Sequence, residues 1–192
     1  HNWNIDFAAW CSYKYMNAGP GSASGIFVHE KHHNSNLPRF AGWWGHNKER
    51  RFLMEPTFDP VKGAEGWQIS NLPILSLAPY LASVYMFDEV GMDALIEKRD
   101  KITSYLEFIL KDIAAQVGGD FEIITPSEPE QRASQLSILL HGQGRELFNY
   151  LMKNGVIPDW REPSVIRLAP VPFYTSFEDM YHFGQILKQG LV

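Results

Sequence analysis

With 192 residues, 45% of them hydrophobic, the chain has material for one ordinary domain or two small ones and is too apolar for a disordered polymer. A net charge of −5 excludes the basic footprint of a nucleic-acid binder, and no uninterrupted apolar run reaches the roughly 18 residues of a membrane helix. The single cysteine, Cys11, excludes an intrachain disulfide framework and fits a reducing, cytoplasmic compartment.

The run Ile5 to Cys11 is short, apolar and bounded by turn residues, which predicts a buried strand. Asn17-Ala18-Gly19-Pro20-Gly21-Ser22 then forces a loop, since glycine tolerates positive φ and proline fixes its own. Lys14 stands between Tyr13 and Tyr15 at the exit of the strand, half out of water by this reading. Desolvation there favours a neutral, nucleophilic amine, whereas a solvated loop lysine is the plainer alternative. Gly25 to Glu30 predicts a second strand, followed by a polar loop over residues 31–39. His29, His32 and His33 cluster there without a nearby cysteine or an i, i+4 helical pair, so a solvated loop is expected and no metal site.

Gly42-Trp43-Trp44-Gly45-His46 predicts a turn that lets a large ring approach something closely, or else a core or interface pair of aromatics. Lys48 to Arg51 reads as a solvated face, and Met54 to Gly66 as a long loop punctuated by Pro56, Pro60 and Gly63. Ile69 to Pro73 reads as a strand end entering a helix, with Ser70 or Asn71 as N-cap and Pro73 in the first turn. The free N–H groups of such a helix start also attract anions. Leu72 to Val90 is apolar on most sides and contains Pro79, which predicts a kinked helix buried between layers.

A boundary is expected near residue 91. Beyond it, Met92 to Val117 predicts a long amphipathic helix ended by Gly118-Gly119. Its apolar stripe includes Leu95, Ile102, Leu106, Leu110 and Ile113, with Glu97, Lys101, Glu107 and Lys111 placed elsewhere. Strands are expected at Phe121 to Thr125, Ala133 to Leu140, Val156-Ile157 and Val165 to Leu168, with a helix over Arg145 to Lys153. Ser176 and Asp179 form a capping-box pattern that opens a closing helix, and the set makes a small α+β layer domain. Arg167 lies in an otherwise apolar strand, where its charge needs a partner. That partner is either a protein carboxylate or a ligand carboxylate held by the guanidinium fork.

Ser12-Tyr13-Lys14-Tyr15-Met16-Asn17-Ala18-Gly19 resembles the cofactor-lysine segment of kynureninases, within the fold-type-I pyridoxal-phosphate enzymes. The resemblance continues through Gly25 to Lys31, Gly42 to His46, Ile69 to Leu75 and Ile166 to Pro172, in the family's order along nearly the whole chain. It implies an α/β fold in which residues 1–90 are the C-terminal part of the cofactor-binding large domain with its linking helix. Residues 91–192 are then the small C-terminal α+β domain. It also implies a partial enzyme, because the family's N-terminal half, with the acidic partner of the cofactor ring nitrogen, has no counterpart in this sequence.

The resemblance further implies pyridoxal 5'-phosphate as cofactor and a homodimer whose site is shared across the interface. The implied reaction is hydrolysis of L-kynurenine, or 3-hydroxykynurenine, to the corresponding anthranilate and L-alanine, in tryptophan catabolism and NAD biosynthesis. Lys14 matches the lysine that holds the cofactor and moves the Cα proton, and Tyr13 a phosphate contact and proton donor. Trp43 matches a tryptophan whose indole N–H meets the phosphate, Asn71 a cofactor and substrate contact with Ser70 beside it, and Arg167 the arginine that grips the substrate α-carboxylate. Trp44, Phe52 and Trp67, all in loops, are expected to border an aryl pocket. Two alternatives remain. One is a sulfur-handling relative, a cysteine desulfurase or selenocysteine lyase, which needs a reactive loop cysteine that strand-borne Cys11 does not supply. The other is a non-catalytic fragment that binds a partner chain.

Overall fold

The computed structural model describes residues 3–142 and 144–192, and the chain divides into two compact units, His1–Glu89 and Val90–Val192. In the first unit, β1 (Phe7–Trp10) and β2 (Gly25–Val28) form an antiparallel pair with Phe7 opposite Val28 and Trp10 opposite Gly25. The expected burial of this strand is not met: Phe7 is 44% and Trp10 40% exposed. A two-stranded ribbon covers neither of its own faces, and the apolar pattern alone does not say what lies over it. Short 3-10 turns at Glu30–His32, Arg51–Leu53 and Ala64–Trp67 punctuate the loops that follow.

Helix α1 spans Ile74–Val90 with Pro79 inside it. The carbonyl of Pro73 accepts from both Ser76 and Leu77 N–H at 3.1 Å, so Pro73 occupies the N-cap place expected for Ser70 or Asn71. Ile69 lies outside any strand, and Ser70 and Asn71 are exposed. The helix is not buried between layers: Leu75 is 91% exposed, and Ser83 is its one buried residue. Its hydrogen-bonded ties to the rest of the unit run to Trp10 and Met16, which cover only a small part of an all-round apolar surface.

The second unit begins with α2 (Met92–Val117), whose C-cap Gly118 is left-handed at φ 66° and donates to Ala114 O. Strands β3 (Phe121–Ile123), β4 (Leu136–Leu140), β5 (Asp159–Arg161) and β6 (Val165–Leu168) form one antiparallel sheet in the order β3-β4-β6-β5. Helices α3 (Gly144–Lys153) and α4 (Phe177–Gly190) complete the unit. The apolar stripe of α2 meets alternate residues of the sheet: Leu106, Leu110 and Ile113 join Leu136, Ile138, Leu140, Ile166 and Leu168 in one core. Each fully buried aliphatic side chain there contributes about 1.5–3 kcal/mol.

Two expectations for this unit change. The short strand falls at Asp159–Arg161 and not at Val156-Ile157, because Val156 N–H is spent on Leu151 O, 3.0 Å away, closing the end of α3 over left-handed Gly155. Glu107, expected on the solvated side of α2, is buried and bonded to Lys111, Ser127 and Arg132. The capping box of α4 is present in both directions, Asp179 N–H to Ser176 Oγ and Ser176 N–H to Asp179 Oδ2. Among the described residues no helix is long and apolar enough to cross a membrane.

Candidate active site

Lys14 is carried on a loop that closes on itself. Ser12 is fully buried, its hydroxyl donates to Ala23 O, and its carbonyl accepts from Ala18 N–H at 3.1 Å. Ser22 hydroxyl donates to Ala18 O, and Asn17 N–H donates to Lys14 O at 3.0 Å, which makes Lys14 the first residue of a tight turn. Asn17 takes the left-handed conformation at φ 55°, which its short polar side chain tolerates. From the helix side, Ser83 hydroxyl donates to Met16 O, while Tyr80 hydroxyl accepts from Trp10 Nε1 at 3.4 Å and donates to Met16 Sδ at 3.7 Å. The turn's backbone is therefore held from both ends.

The side chains on it are open. Lys14 is exposed, not half out of water. Its Nζ lies 5.7 Å from the centre of the Tyr13 ring, and it has no ion pair among the described residues. Tyr13 is 48% exposed. Cys11 beside the Tyr13 phenol pushes that phenol's pKa up from its ordinary value.

Trp43 stands on a second local structure. Gly45 N–H donates to Gln68 O at 2.9 Å, Val61 N–H to Gly45 O at 2.8 Å, and Asp59 N–H to the buried ring of His46 at 3.0 Å. A Cβ on Gly42 would lie 2.3 Å from Ile69 Cα. It is thus the backbone of the turn, and not a tryptophan ring, that needs the close approach, and the chain it approaches is the one leading into Ser70 and Asn71. Arg51 departs from expectation: placed by its charged neighbours on a solvated face, it is only 8% exposed. Its Nη2 donates to Trp44 O and His46 O, each at 3.1 Å, and its guanidinium lies 4.8 Å from the Trp44 ring centre.

Trp44, Phe52 and Trp67, expected to border an aryl pocket, do not pack against one another among the described residues. Phe52 packs edge-on against Trp43, with ring centres 5.2 Å apart, and Trp44 lies against Arg51. Trp67 meets Phe7 edge-on at 5.0 Å, with Arg39 4.3 Å from the indole centre. The histidines beside this face have structural work: His32 bonds Asp6 at 2.6 Å and His33 Nε2 bonds Val28 O at 3.1 Å. Hydrogen bonds from Lys31 and His32 bring the Asp6 carboxyl down to about 2. Among the described residues no three His, Cys, Asp or Glu side chains are grouped to hold a metal.

Arg167 belongs to the second unit. It lies in β6 directly opposite Asp159 in β5, and its Nε and Nη2 both bond Asp159 Oδ2. Of the two partners weighed for it, the protein carboxylate is present among the described residues. Arg161 Nε shares the same oxygen at 3.1 Å, so two guanidiniums face one carboxylate. The supporting residues Ser12, Ser83 and Arg51 carry no signal in the sequence as site residues, since their roles depend on how the chain folds back on itself.

The fold as a whole is that of pyridoxal-phosphate enzymes. A mutant of the cystine lyase C-DES with glycine covalently linked to its pyridoxal-phosphate cofactor matches 97% of this chain and 46% of its own, at a TM-score of 0.75 and 16% identity. The Escherichia coli cysteine desulfurase CsdA matches 99% of this chain and 47% of its own, at 0.73 and 11%. Within that fold, residues 95–187 belong to the kynureninase C-terminal domain family. Over its whole length the chain is 78% identical to kynureninase of Flavobacterium johnsoniae and 76% to that of Flavobacterium psychrophilum, and over 97% of its length 53% identical to that of Xanthomonas oryzae pv. oryzae. The chain spans 45% of the length of the first two of these relatives and 44% of the third.

Proposed function

We propose that this chain is the C-terminal portion of a pyridoxal-phosphate-dependent kynureninase, acting on L-kynurenine or 3-hydroxykynurenine as a homodimer with the site shared across its interface. In this reading residues 1–90 complete the cofactor-binding domain and residues 91–192 form the small domain. The observation that carries the reading is the amine of Lys14. It is a primary amine on a rigidly held turn, exposed and free of any ion pair among the described residues. Such an amine is available to bond an aldehyde carbon.

The donor set suits the cofactor: an uncommitted amine for its aldehyde, a phenol and an indole N–H for its phosphate, and a guanidinium for the carboxylate of the amino-acid substrate. When bound, the cofactor supplies an electron sink for the charge that develops at Cα. Lys14 would hold the cofactor through its amine and, with that amine free, would take the proton from the substrate Cα. Tyr13 would donate to the phosphate and serve as a proton source. Trp43 would donate its indole N–H to the phosphate across the interface, and Asn71 with Ser70 would contact cofactor and substrate.

Arg167 holds the substrate α-carboxylate. Asp159 keeps one edge of its guanidinium, and the sharing of that carboxylate with Arg161 leaves the cluster net positive toward an anion. A sulfur-handling chemistry has less support, because Cys11 follows β1 directly, half-buried, beside Tyr13.

Borohydride reduction of the cofactor-loaded full-length protein followed by intact-mass analysis tests the reading. The expected result is one cofactor adduct on Lys14, lost together with kynurenine cleavage in Lys14→Arg. Retention of colour and product by Lys14→Arg would overturn it. The isolated 192-residue chain is predicted to bind the cofactor weakly and to cleave no kynurenine.

A further inference from the structure

We infer that Arg51 is a positioning residue for Trp43, holding the Gly42–His46 turn so that the indole stands where the cofactor phosphate arrives. The inference rests on the proposed role of Trp43. Arg51 is a buried cation, yet it has no carboxylate within ion-pairing distance among the described residues. Its neighbour Arg50, partly exposed, pairs with both Glu55 and Asp59. The Nε of Arg51 is also buried, without a partner among the described residues.

Burying a guanidinium against neutral groups alone is unfavourable, and an apolar side chain would fill the same space at less cost. What an apolar side chain lacks is the fork. Arg51 Nη2 reaches two carbonyls of the turn at once, Trp44 O and His46 O, while the planar group stacks on the Trp44 ring. The same 3-10 turn, Arg51–Leu53, places Phe52 edge-on to the Trp43 ring at an interplanar angle of 83°. One short element therefore grips the turn at its backbone and at the indole.

The other side of the turn is held by backbone. Gly45 N–H bonds Gln68 O, and Gly42 sits against Ile69 with no space for a side chain. Between these two holds Trp43 has little freedom to shift. A cleft of about 280 Å³ opens there, lined by Gly42, Trp43, His46 and Arg51 among others, and Arg51 gives it a buried positive charge. Positive potential at that place favours a phosphate without Arg51 having to touch it.

Arg51→Met and Arg51→Lys in the full-length protein test the assignment. Met keeps the volume and removes every donor; Lys keeps the charge and can still donate to the carbonyls but lacks the planar guanidinium that lies over the Trp44 ring. Both variants are expected to lower pyridoxal-phosphate affinity of the cofactor-free protein by about tenfold or more, with kcat at saturating cofactor changed much less. Both are also expected to alter the near-ultraviolet circular dichroism of the tryptophans before any cofactor is added. Parent-like affinity in both variants would overturn the inference, and so would full rescue by Arg51→Lys, since charge and not geometry would then be responsible. If the parent itself binds no cofactor, the proposed function fails; the tryptophan spectra then decide the inference, and unchanged spectra overturn it.

Discussion

Arg167 and Asp159 face each other across β6 and β5, and two nitrogens of the guanidinium converge on a single carboxylate oxygen. The pairing fixes the plane of the arginine and leaves its remaining N–H groups for a second carboxylate. Lys in place of Arg167 keeps the charge but loses the fork. Arg167→Lys is therefore expected to raise KM for kynurenine by about tenfold or more with a smaller fall in kcat, since roughly 1.4 kcal/mol of carboxylate binding corresponds to tenfold. Asp159→Asn is expected to raise KM by a smaller factor, through loss of orientation. Steady-state kinetics of the full-length protein measures both, and an unchanged KM in Arg167→Lys would remove this residue from substrate binding.

Glu107 supplies a pH-dependent part of the second unit's stability. Burial by itself pushes its pKa up, but hydrogen bonds from Lys111, Arg132 and Ser127 together outweigh burial and bring it down to about 2 from an ordinary 4.5. The folded chain thus binds fewer protons than the unfolded one between these values. Its stabilisation is fully present above the unfolded value and is lost as pH falls from there through about 2. The contribution is about 2 kcal/mol once solvent screening is allowed for. Glu107→Gln should cost about that much or more at pH 7, because Arg132, with a side chain only 4% exposed, loses its counter-charge. Urea unfolding of parent and variant from pH 7 to pH 2 should show the two curves converging at the acid end; a constant gap would contradict the linkage.

Ser83 is the sole buried residue of α1, and its hydroxyl donates to Met16 O in the loop of Lys14. Replacing it with alanine leaves that carbonyl without its donor, at a cost of about 1–2 kcal/mol. The expected consequence is local: amide exchange at Asn17 and Ala18 quickens while that of the β4 core is unchanged. Hydrogen exchange read by mass spectrometry or NMR makes the comparison, and equal protection in parent and variant would show that α1 does not hold this loop.

Periodicity accounts for most of what the amino-acid order reveals. Leu106, Leu110 and Ile113 at helical spacing, and Leu136, Ile138 and Leu140 at alternate positions, specify the core of the second unit directly. Ser176 and Asp179 are equally direct, because a capping box is complete within four residues. Pairings made where the chain folds back on itself are less accessible. Glu107 and Arg51 each sit in a charged run whose composition reads as solvated, and only the partners reached through the fold, Arg132 for one and the carbonyls of Trp44 and His46 for the other, reveal burial. The exposure of β1 and α1 has the same origin: apolar content says that a surface suits a covering layer, not which residues provide it. The segment around Lys14 is legible as a family resemblance, whereas its scaffolding by Ser12, Ala23 and Ser83 belongs to the tertiary structure.

Gly42 offers the sharpest test of how the Trp43 turn is built. A Cβ there would come within 2.3 Å of Ile69 Cα and 2.6 Å of Gln68 O, and backbone cannot swing aside as the end of a long side chain can. Gly42→Ala must therefore push the turn away from residues 68–69, and overpacking of this kind costs about 1–3 kcal/mol. The shift would stretch the Gly45 N–H bond to Gln68 O, now 2.9 Å, and move Trp43 away from the chain that carries Ser70 and Asn71. Pyridoxal-phosphate affinity is expected to fall in parallel with thermal stability of the first unit, while urea unfolding of the second unit stays as in the parent. A variant in which Gly42→Ala left both the tryptophan near-ultraviolet signal and cofactor affinity intact would show that the turn tolerates displacement, and would separate Trp43 from the geometry argued for it.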